Sequence, residues 1–491
     1  MKRNVLFAMA LILSAVVSVE LLAQAAVSVD PAVYTRRGVN NEMSLTNKWL
    51  YSNRLSNYNV AADFVAPTAT ARGMTVKDGK MLFSHRKSAT ECQIIVVNGA
   101  TGARETPIAL ASNVFSYQGR NKANTADSTY YAPLPCNDIK VDNAGNVLVG
   151  NLITSNAGRF QIWKINLTNG TGTLVIDQAD LATLFPAALT MRFDAFGVYG
   201  NVNTNAIILA ANASTIAMEV YKWTITNGVA GVPTLIELDN STATGKDLAS
   251  LANLGSAPQV FPLDENYFYV DGNATHPVLC DMDGNVVDGF RSNFSALRDS
   301  VTAPLTEPKT IWTMNQGHNG LAEFEVDGKY FIVMAATNTA GVPASTFRLF
   351  QFANAAKEFT GLKCLWTFPQ AGMGATSNTY RTAMPVVEVS GKVAKIYVYT
   401  GENGYGMYEF NTDAPSSVNN QKESNIVLSV IERNIILSET VARIEIYTTA
   451  GQRVGMATHV SEIAVPESRG VYLVNLTDKQ GARKVQKVVI Q

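Results

Sequence analysis

The 491 residues predict an all-β chain: a six-bladed β-propeller closed by an N-terminal strand, then a small C-terminal β-sandwich. Three observations carry this expectation. Six turn-and-strand units recur at roughly sixty-residue spacing, which suits a large propeller blade. Most units carry a second hairpin, making four antiparallel strands each. The last unit lacks a fourth strand, and a matching one stands near the N-terminus.

Taken in order, the chain begins with the basic Met1-Lys2-Arg3, an uncharged apolar run from Val5 to Val19, and Leu21-Leu22-Ala23-Gln24-Ala25. That is the layout of a secretory signal peptide with cleavage after Ala25. Glu20 interrupts the run too early for a membrane-spanning helix, which needs about 20 apolar residues. Later segments are no better suited to spanning. The expectation is export as residues 26–491, with the protein secreted or held at the cell surface.

Residues 26–415 form the expected propeller. The repeated pieces are "TVKDGKMLF", "KVDNAGNVLV", "PLDENYFYV", "EVDGKYFIV" and "EVSGKVAKIYV", with a looser copy in "FDAFGVYGNVNTNAIILAA". Each is an apolar strand end, a turn of Asp, Asn, Ser or Gly, and a second apolar strand; Gly and Asn supply the positive φ of tight hairpins. Val76, Val141, Phe196, Leu263, Val326 and Val389 mark the six units. Strands such as Ala206–Leu209 have no polar face, as expected of sheets buried on both sides. After "GMYEFNTD" the chain reaches Ala414-Pro415 with no room for another strand. "TNKWLYS", Thr46 to Ser52, resembles the outer strand "LKCLWTF" and is expected to complete the last blade, leaving no long open edge. Two β-sandwich domains are the competing architecture. "GKDLASLANLGS" and "NFSALRDSV" read as short surface helices.

Composition excludes some functions. The formal net charge is −1 with scattered Lys and Arg, so the basic stripe that a nucleic-acid binder needs is missing. Cys92, Cys136, Cys280 and Cys364 allow three pairings that sequence cannot separate. They read as structural disulfides or buried thiols. No nucleophile elbow, phosphate loop or zinc helix is present, and no cofactor or metal is expected. "DMDGNVVDG" (Asp281–Gly289) alternates carboxylates like a calcium loop, but its glycine falls at the fourth position and no Glu closes it. A β-turn is the expectation there.

Residues just before the innermost strand of a blade emerge near the central channel. On that logic Arg72, Asn137, Asp138, Arg192, Gln259, His318, Asn319 and Arg381 line one mouth, with Arg72, Asn137, Arg192, His318 and Arg381 as the candidate ligand-binding set. The planar donor fork of Arg suits a carboxylate or a sugar hydroxyl. The alternative is that these groups pair with one another and with backbone. Trp49, Trp163, Trp223 and Trp366 fall on predicted outer strands, where they stack on sugars or pack between blades.

Residues 416–423 read as a linker, and 424–491 as a β-sandwich of about seven short strands. Three motifs here, "IEIYTTAGQRV", "RGVYLVNL" and the terminal "KVVIQ", resemble the C-terminal sorting domain of type IX secretion cargo in Bacteroidetes. Many members of that family place Asp or Asn ahead of the turn glycine, where this chain has "TTAG". The resemblance implies passage across the outer membrane through the type IX machinery, with Gly451, Gly470, Tyr472, Lys487, Val488 and Val489 in the sorting signal. The middle region resembles secreted Bacteroidetes families of unknown function. The functional expectation is a recognition protein for an extracellular glycan or protein. A polysaccharide hydrolase or lyase and a structural surface protein are the alternatives.

Overall fold

The computed structural model describes residues 30, 32–34, 36–38, 42–52, 65, 71–120, 126–186, 190–213, 218–239, 253–273, 275–290, 319–336, 346–370, 372–373, 382–413, 426–466, 468–479 and 483–490. Both stretches expected to be short surface helices fall largely outside them. Among the described residues the chain is all-β, apart from one helical turn at Leu181–Leu184. It divides into two compact units, and the boundary falls between Thr412 and Asp413.

Among the described residues the larger unit holds six antiparallel sheets of four or five strands and one two-stranded sheet, Ser116–Arg120 with Asp127–Tyr131. Sheet I contains Ala71–Lys77, Lys80–Arg86, Cys92–Asn98 and Ile108–Ala109. Sheet II contains Asp138–Val141, Val147–Gly150, Phe160–Ile165 and Gly172–Gln178. Sheet III contains Gly197–Gly200, Ala206–Ala211 and Glu219–Thr226, with Val229–Ala230 and Thr234–Glu237 sharing its outer position. Sheet IV contains Gln259–Pro262, Tyr267–Gly272, Thr275–Asp281 and Val286–Gly289. Sheet V contains Leu321–Val326, Lys329–Ala336, Thr346–Gln351 and Lys363–Phe368. Sheet VI contains Ala383–Ser390, Val393–Thr400 and Gly404–Asn411, and Ser44–Ser52 is its fourth strand.

That N-terminal strand pairs antiparallel with Gly404–Asn411 from Ser44↔Asn411 to Ser52↔Gly404. A bulge at Lys48 inserts one extra residue. Because side chains alternate along a strand, one extra residue reverses which face each later side chain meets. Leu45 and Leu50 therefore both pack toward sheet V, while Trp49 and Tyr51 pack toward sheet I. The Trp49 indole N–H donates to Gly99 O at 2.9 Å, and Tyr51 stacks on Tyr405 with centroids 5.3 Å apart.

First strands of successive sheets touch: I with II, II with III, III with IV, V with VI, and VI with I. Sheets IV and V meet where Gly320 N–H donates to Asp271 Oδ2 at 3.1 Å. Glycine permits the closest of these approaches. A Cβ on Gly320 would lie 1.9 Å from Ala383 O in sheet VI, and one on Gly197 would lie 2.3 Å from Val260 O in sheet IV. Continuous apolar clusters fill the spaces between neighbouring sheets.

Two turns share one device. In Asp142–Asn146 and again in Asp281–Asn285, the leading Asp accepts two backbone N–H groups and the Asn amide. Gly145 and Gly284 sit at positive φ before each Asn. The calcium-like stretch is thus a β-turn. One expected marker shifts: Phe196 precedes the first strand of sheet III instead of ending it. The turn lies at Asn201–Asn205, so the strand end falls at Tyr199-Gly200.

The smaller unit differs from the expected seven short strands. Five are described: Leu428–Ile431, Asn434–Thr448, Arg453–Ala464, Gly470–Thr477 and Arg483–Ile490. Two are long, because Asn434–Thr448 continues through an irregularity between Ile436 and Val441 and pairs with three partners. Its twelve buried apolar residues form one cluster.

Trp49→Ala is expected to cost about 3–5 kcal/mol, the usual range for emptying a buried Trp site. Lys48→Ala, at the exposed bulge, should change stability by less than about 0.5 kcal/mol. Urea unfolding of both variants checks the contrast.

Candidate binding sites at the two ends of the inner strands

The first strands of sheets I, II, IV, V and VI border a cavity of about 280 Å³, lined by residues including Thr75, Lys140, Phe261, Leu263, Glu323 and Val387. The walls are mostly apolar, and the charges in them are already matched. Lys140 Nζ donates to Asp138 Oδ1 at 2.9 Å. Glu323 accepts the Tyr269 hydroxyl at 2.6 Å and pairs with Lys357. Burial, then the Glu323 charge, pushes the Tyr269 hydroxyl well above its ordinary range. Among the described lining residues Glu323 is the single carboxylate. A second carboxylate, which acid–base hydrolysis of a glycoside uses, is not among them.

At the starting end of these strands lie the residues expected at the channel mouth. Asn137 is buried and donates to Asp194 O at 2.6 Å. Asp138 accepts N–H groups of Ile139 and, in the next sheet, Phe196. Arg192 grips Asp194 through two bonds of 2.6 Å. Arg72 lies on the first strand of sheet I, its charge acting on Tyr399. Asn319 donates to Ser256 O and Ala257 O at 3.1 and 2.7 Å. Asn137, Asp138 and Asn319 thus tie one sheet to its neighbour. His318 and Arg381 lie outside the described residues.

One part of this end is under-satisfied. Gln259 and Asp271 are register partners in sheet IV, and Gly320 brings Asn319 beside them. Among the described residues, the buried acceptors Gln259 Oε1, Asp271 Oδ1 and Asn319 Oδ1 meet no hydrogen-bond donor. Burial holds the Asp271 carboxyl well above the ordinary carboxylate range, against the lowering effect of the Gly320 and Gly272 N–H groups. Nearby in sheet IV, burial and then the Arg348 charge bring His276 down to about 4.

The turn end carries a larger cavity, about 420 Å³, that the sequence reading missed. It is lined by Asn143, Tyr199, Asn205, Thr224, Thr226 and Glu265, with Ile207 and Ile225 among its apolar neighbours. Asn143 Oδ1 accepts Gly200 N–H at 2.8 Å and Asn205 Oδ1 accepts Asn227 N–H at 3.3 Å. With both oxygens engaged, the NH2 groups are the hydrogen-bonding capacity these two side chains have left, as donors. The available signal was the Asn-rich turn "YGNVNTN" following an aromatic, which reads equally well as plain turn chemistry.

Trp49, Trp163, Trp223 and Trp366 are buried between sheets, on third strands (Trp163, Trp223) or fourth strands (Trp49, Trp366). In the smaller unit, Gly451 sits at positive φ in the turn between the two long strands. Tyr472 donates to Ser468 O at 2.8 Å and faces Val488, while Leu473 faces Lys487 and Val471 faces Val489. Gly470 opens the strand opposite Ile490. Of fourteen large apolar residues exposed in the described chain, eight belong to this unit, among them Met456, Leu473, Val485 and Val489.

A family model described as a domain of unknown function (DUF8500) matches residues 132–258. That stretch spans sheets II and III. No curated protein matches the chain. Among solved structures, a DUF4623 family protein from Bacteroides eggerthii is similar, with TM-score 0.51 and 10% identity over 77% of each chain. At that identity the likeness concerns the fold alone. A GH43 endo-arabinanase from Bacillus licheniformis gives TM-score 0.32 and 9% identity over 61% of this chain and 98% of its own.

Asp271→Asn tests the under-satisfied cluster. A raised native pKa means the folded state keeps a proton that the unfolded chain releases near pH 4. Wild-type stability should therefore fall as pH rises from about 4 to the raised native value. The amide variant should lack that component, so its melting temperature should gain on wild type with rising pH. Parallel pH profiles would remove the assignment.

Proposed function

We propose that this is a secreted or surface-displayed recognition protein whose larger unit is a closed six-bladed β-propeller binding an extracellular glycan at its turn end. The observation that carries the reading is the Tyr199 cavity. It combines the part-buried Tyr199 ring, the Asn143 and Asn205 side chains, two threonine hydroxyls and the Glu265 carboxylate. Sugars present alternating apolar faces and hydroxyls, and a ring flanked by donors and acceptors matches both. The inner cavity offers less, since its charges are matched internally. Closure of the propeller is supported by sheet-to-sheet contact in chain order and by Ser44–Ser52 completing sheet VI.

The smaller unit is read as a sorting domain for the type IX machinery on its three terminal motifs, and its eight exposed large apolar side chains are in keeping with that reading.

Purified residues 26–415 are to be screened on arrayed polysaccharides and glycoproteins, with each hit checked for product. Binding without turnover is expected. Tyr199→Ala should weaken a hit at least tenfold, the usual scale for an aromatic anchor. A loss confined to Arg192→Ala would move the site to the strand-start end, and turnover would replace recognition with catalysis. Separately, deleting residues 424–491 should leave the larger unit folded but held in the periplasm. Surface display of that truncation would reject the sorting reading.

A further inference from the structure

All four cysteines are buried as thiols, but they do not share one environment. Cys280 lies in the cluster between sheets III and IV, and Cys364 in the one between sheets IV and V. Cys92 and Cys136 lie together between sheets I and II. Cys136 precedes sheet II and sits at φ +54°, a left-handed conformation uncommon for a residue with a side chain. Its Sγ lies 3.6 Å from Gln93 O, and Gln93 pairs with His85 directly beside the Arg86↔Cys92 pair. Cys92 is the chain neighbour of Gln93, which brings the two cysteines side by side in that cluster.

From this juxtaposition we propose that Cys92 and Cys136 form a disulfide under oxidising conditions, while Cys280 and Cys364 remain thiols. The bridge would fasten sheet I to the start of sheet II. It would also close the stretch 93–135, which includes the hairpin of Ser116–Arg120 and Asp127–Tyr131. The chemistry is two thiol–disulfide exchanges with a small-molecule disulfide such as oxidised glutathione. One cysteine thiolate attacks the donor, forming a mixed disulfide and releasing one glutathione thiolate. The second cysteine thiolate then attacks the cysteine sulfur of that mixed disulfide and releases the other. Two thiol protons are lost, one S–S bond forms, and the donor is reduced to two thiols. Burial raises the Cys136 thiol, so exchange belongs to folding, before the sheets close over it.

An oxidising location rests on the export reading, but the pairing is tested apart from it. The full chain is refolded from denaturant in a glutathione redox buffer, alkylated in denaturant without reductant, and mapped by peptide mass. The expected result is one cross-linked Cys92–Cys136 peptide pair, two alkylated cysteines at 280 and 364, and a melting temperature that reductant lowers by roughly 5 °C. Cys92→Ser should fold with a melting temperature that reductant does not change. Four alkylated cysteines, or a bridge involving Cys280 or Cys364, would overturn the proposal. The same map on protein recovered from the producing cell reports on export: a bridge in the refolded sample alone leaves the pairing intact and counts against the oxidising location.

Discussion

The larger unit depends on one constraint: both faces of its sheets are covered by neighbouring sheets. Ile332 packs with the sheet IV side while Phe331 and Val333 pack with the sheet VI side, one residue apart on the same strand. A sheet of this kind has no face left for polar chemistry. Donors, acceptors and charges are driven to the strand ends, where the backbone runs out of partners and water or a ligand can reach it. That is why both candidate sites lie at ends, and why the tryptophans, which have aromatic surface to bury, lie between sheets.

The two ends have been put to different uses. At the starting end, side chains reach across to the next sheet's backbone, as Asn137 does to Asp194 and Asp138 to Phe196. A buried polar group that stitches two sheets has little capacity left for a ligand, and breaking such a bond strands its partner at a cost of about 1–3 kcal/mol. At the turn end, oxygens of Asn143 and Asn205 hold the turns, which leaves their NH2 groups as donors. The Gln259–Asp271–Asn319 cluster departs from the starting-end pattern, with acceptors gathered where donors are lacking.

Much of this architecture was legible because the turns are chemically explicit. Asp-x-x-Gly-Asn states its own hydrogen bonds, and Trp49 with its neighbours gave the closing strand away by likeness to Lys363–Phe368. The bulge at Lys48 was not legible, since an inserted residue in a strand looks the same as an uninterrupted one until its partner is known. Phe196 misled for a related reason: an apolar residue one turn early matches the repeat as well as Tyr199 does. The smaller unit was misjudged because a strand that bends through an irregularity reads as two short ones. Of the proposed mouth residues, Arg72, Asn137 and Arg192 could be placed on or just before first strands by spacing alone. The partner of Asn137 could not, because Asp194 lies 57 residues away in the chain.

The N-terminal strand of sheet VI also fixes an order of events in time. Asn47 and Met407, which meet through its pairing, are 360 residues apart, so the ribosome delivers one partner long before the other. At about 5–20 residues per second, roughly 20–70 s separate their appearance. Sheets I to V can be translated in full while Ser44–Ser52 still has no mate. The nascent chain carries an apolar strand with an open edge throughout that interval, available to a chaperone or to the wrong sheet. The hairpin of Val393–Thr400 and Gly404–Asn411 is what ends the exposure.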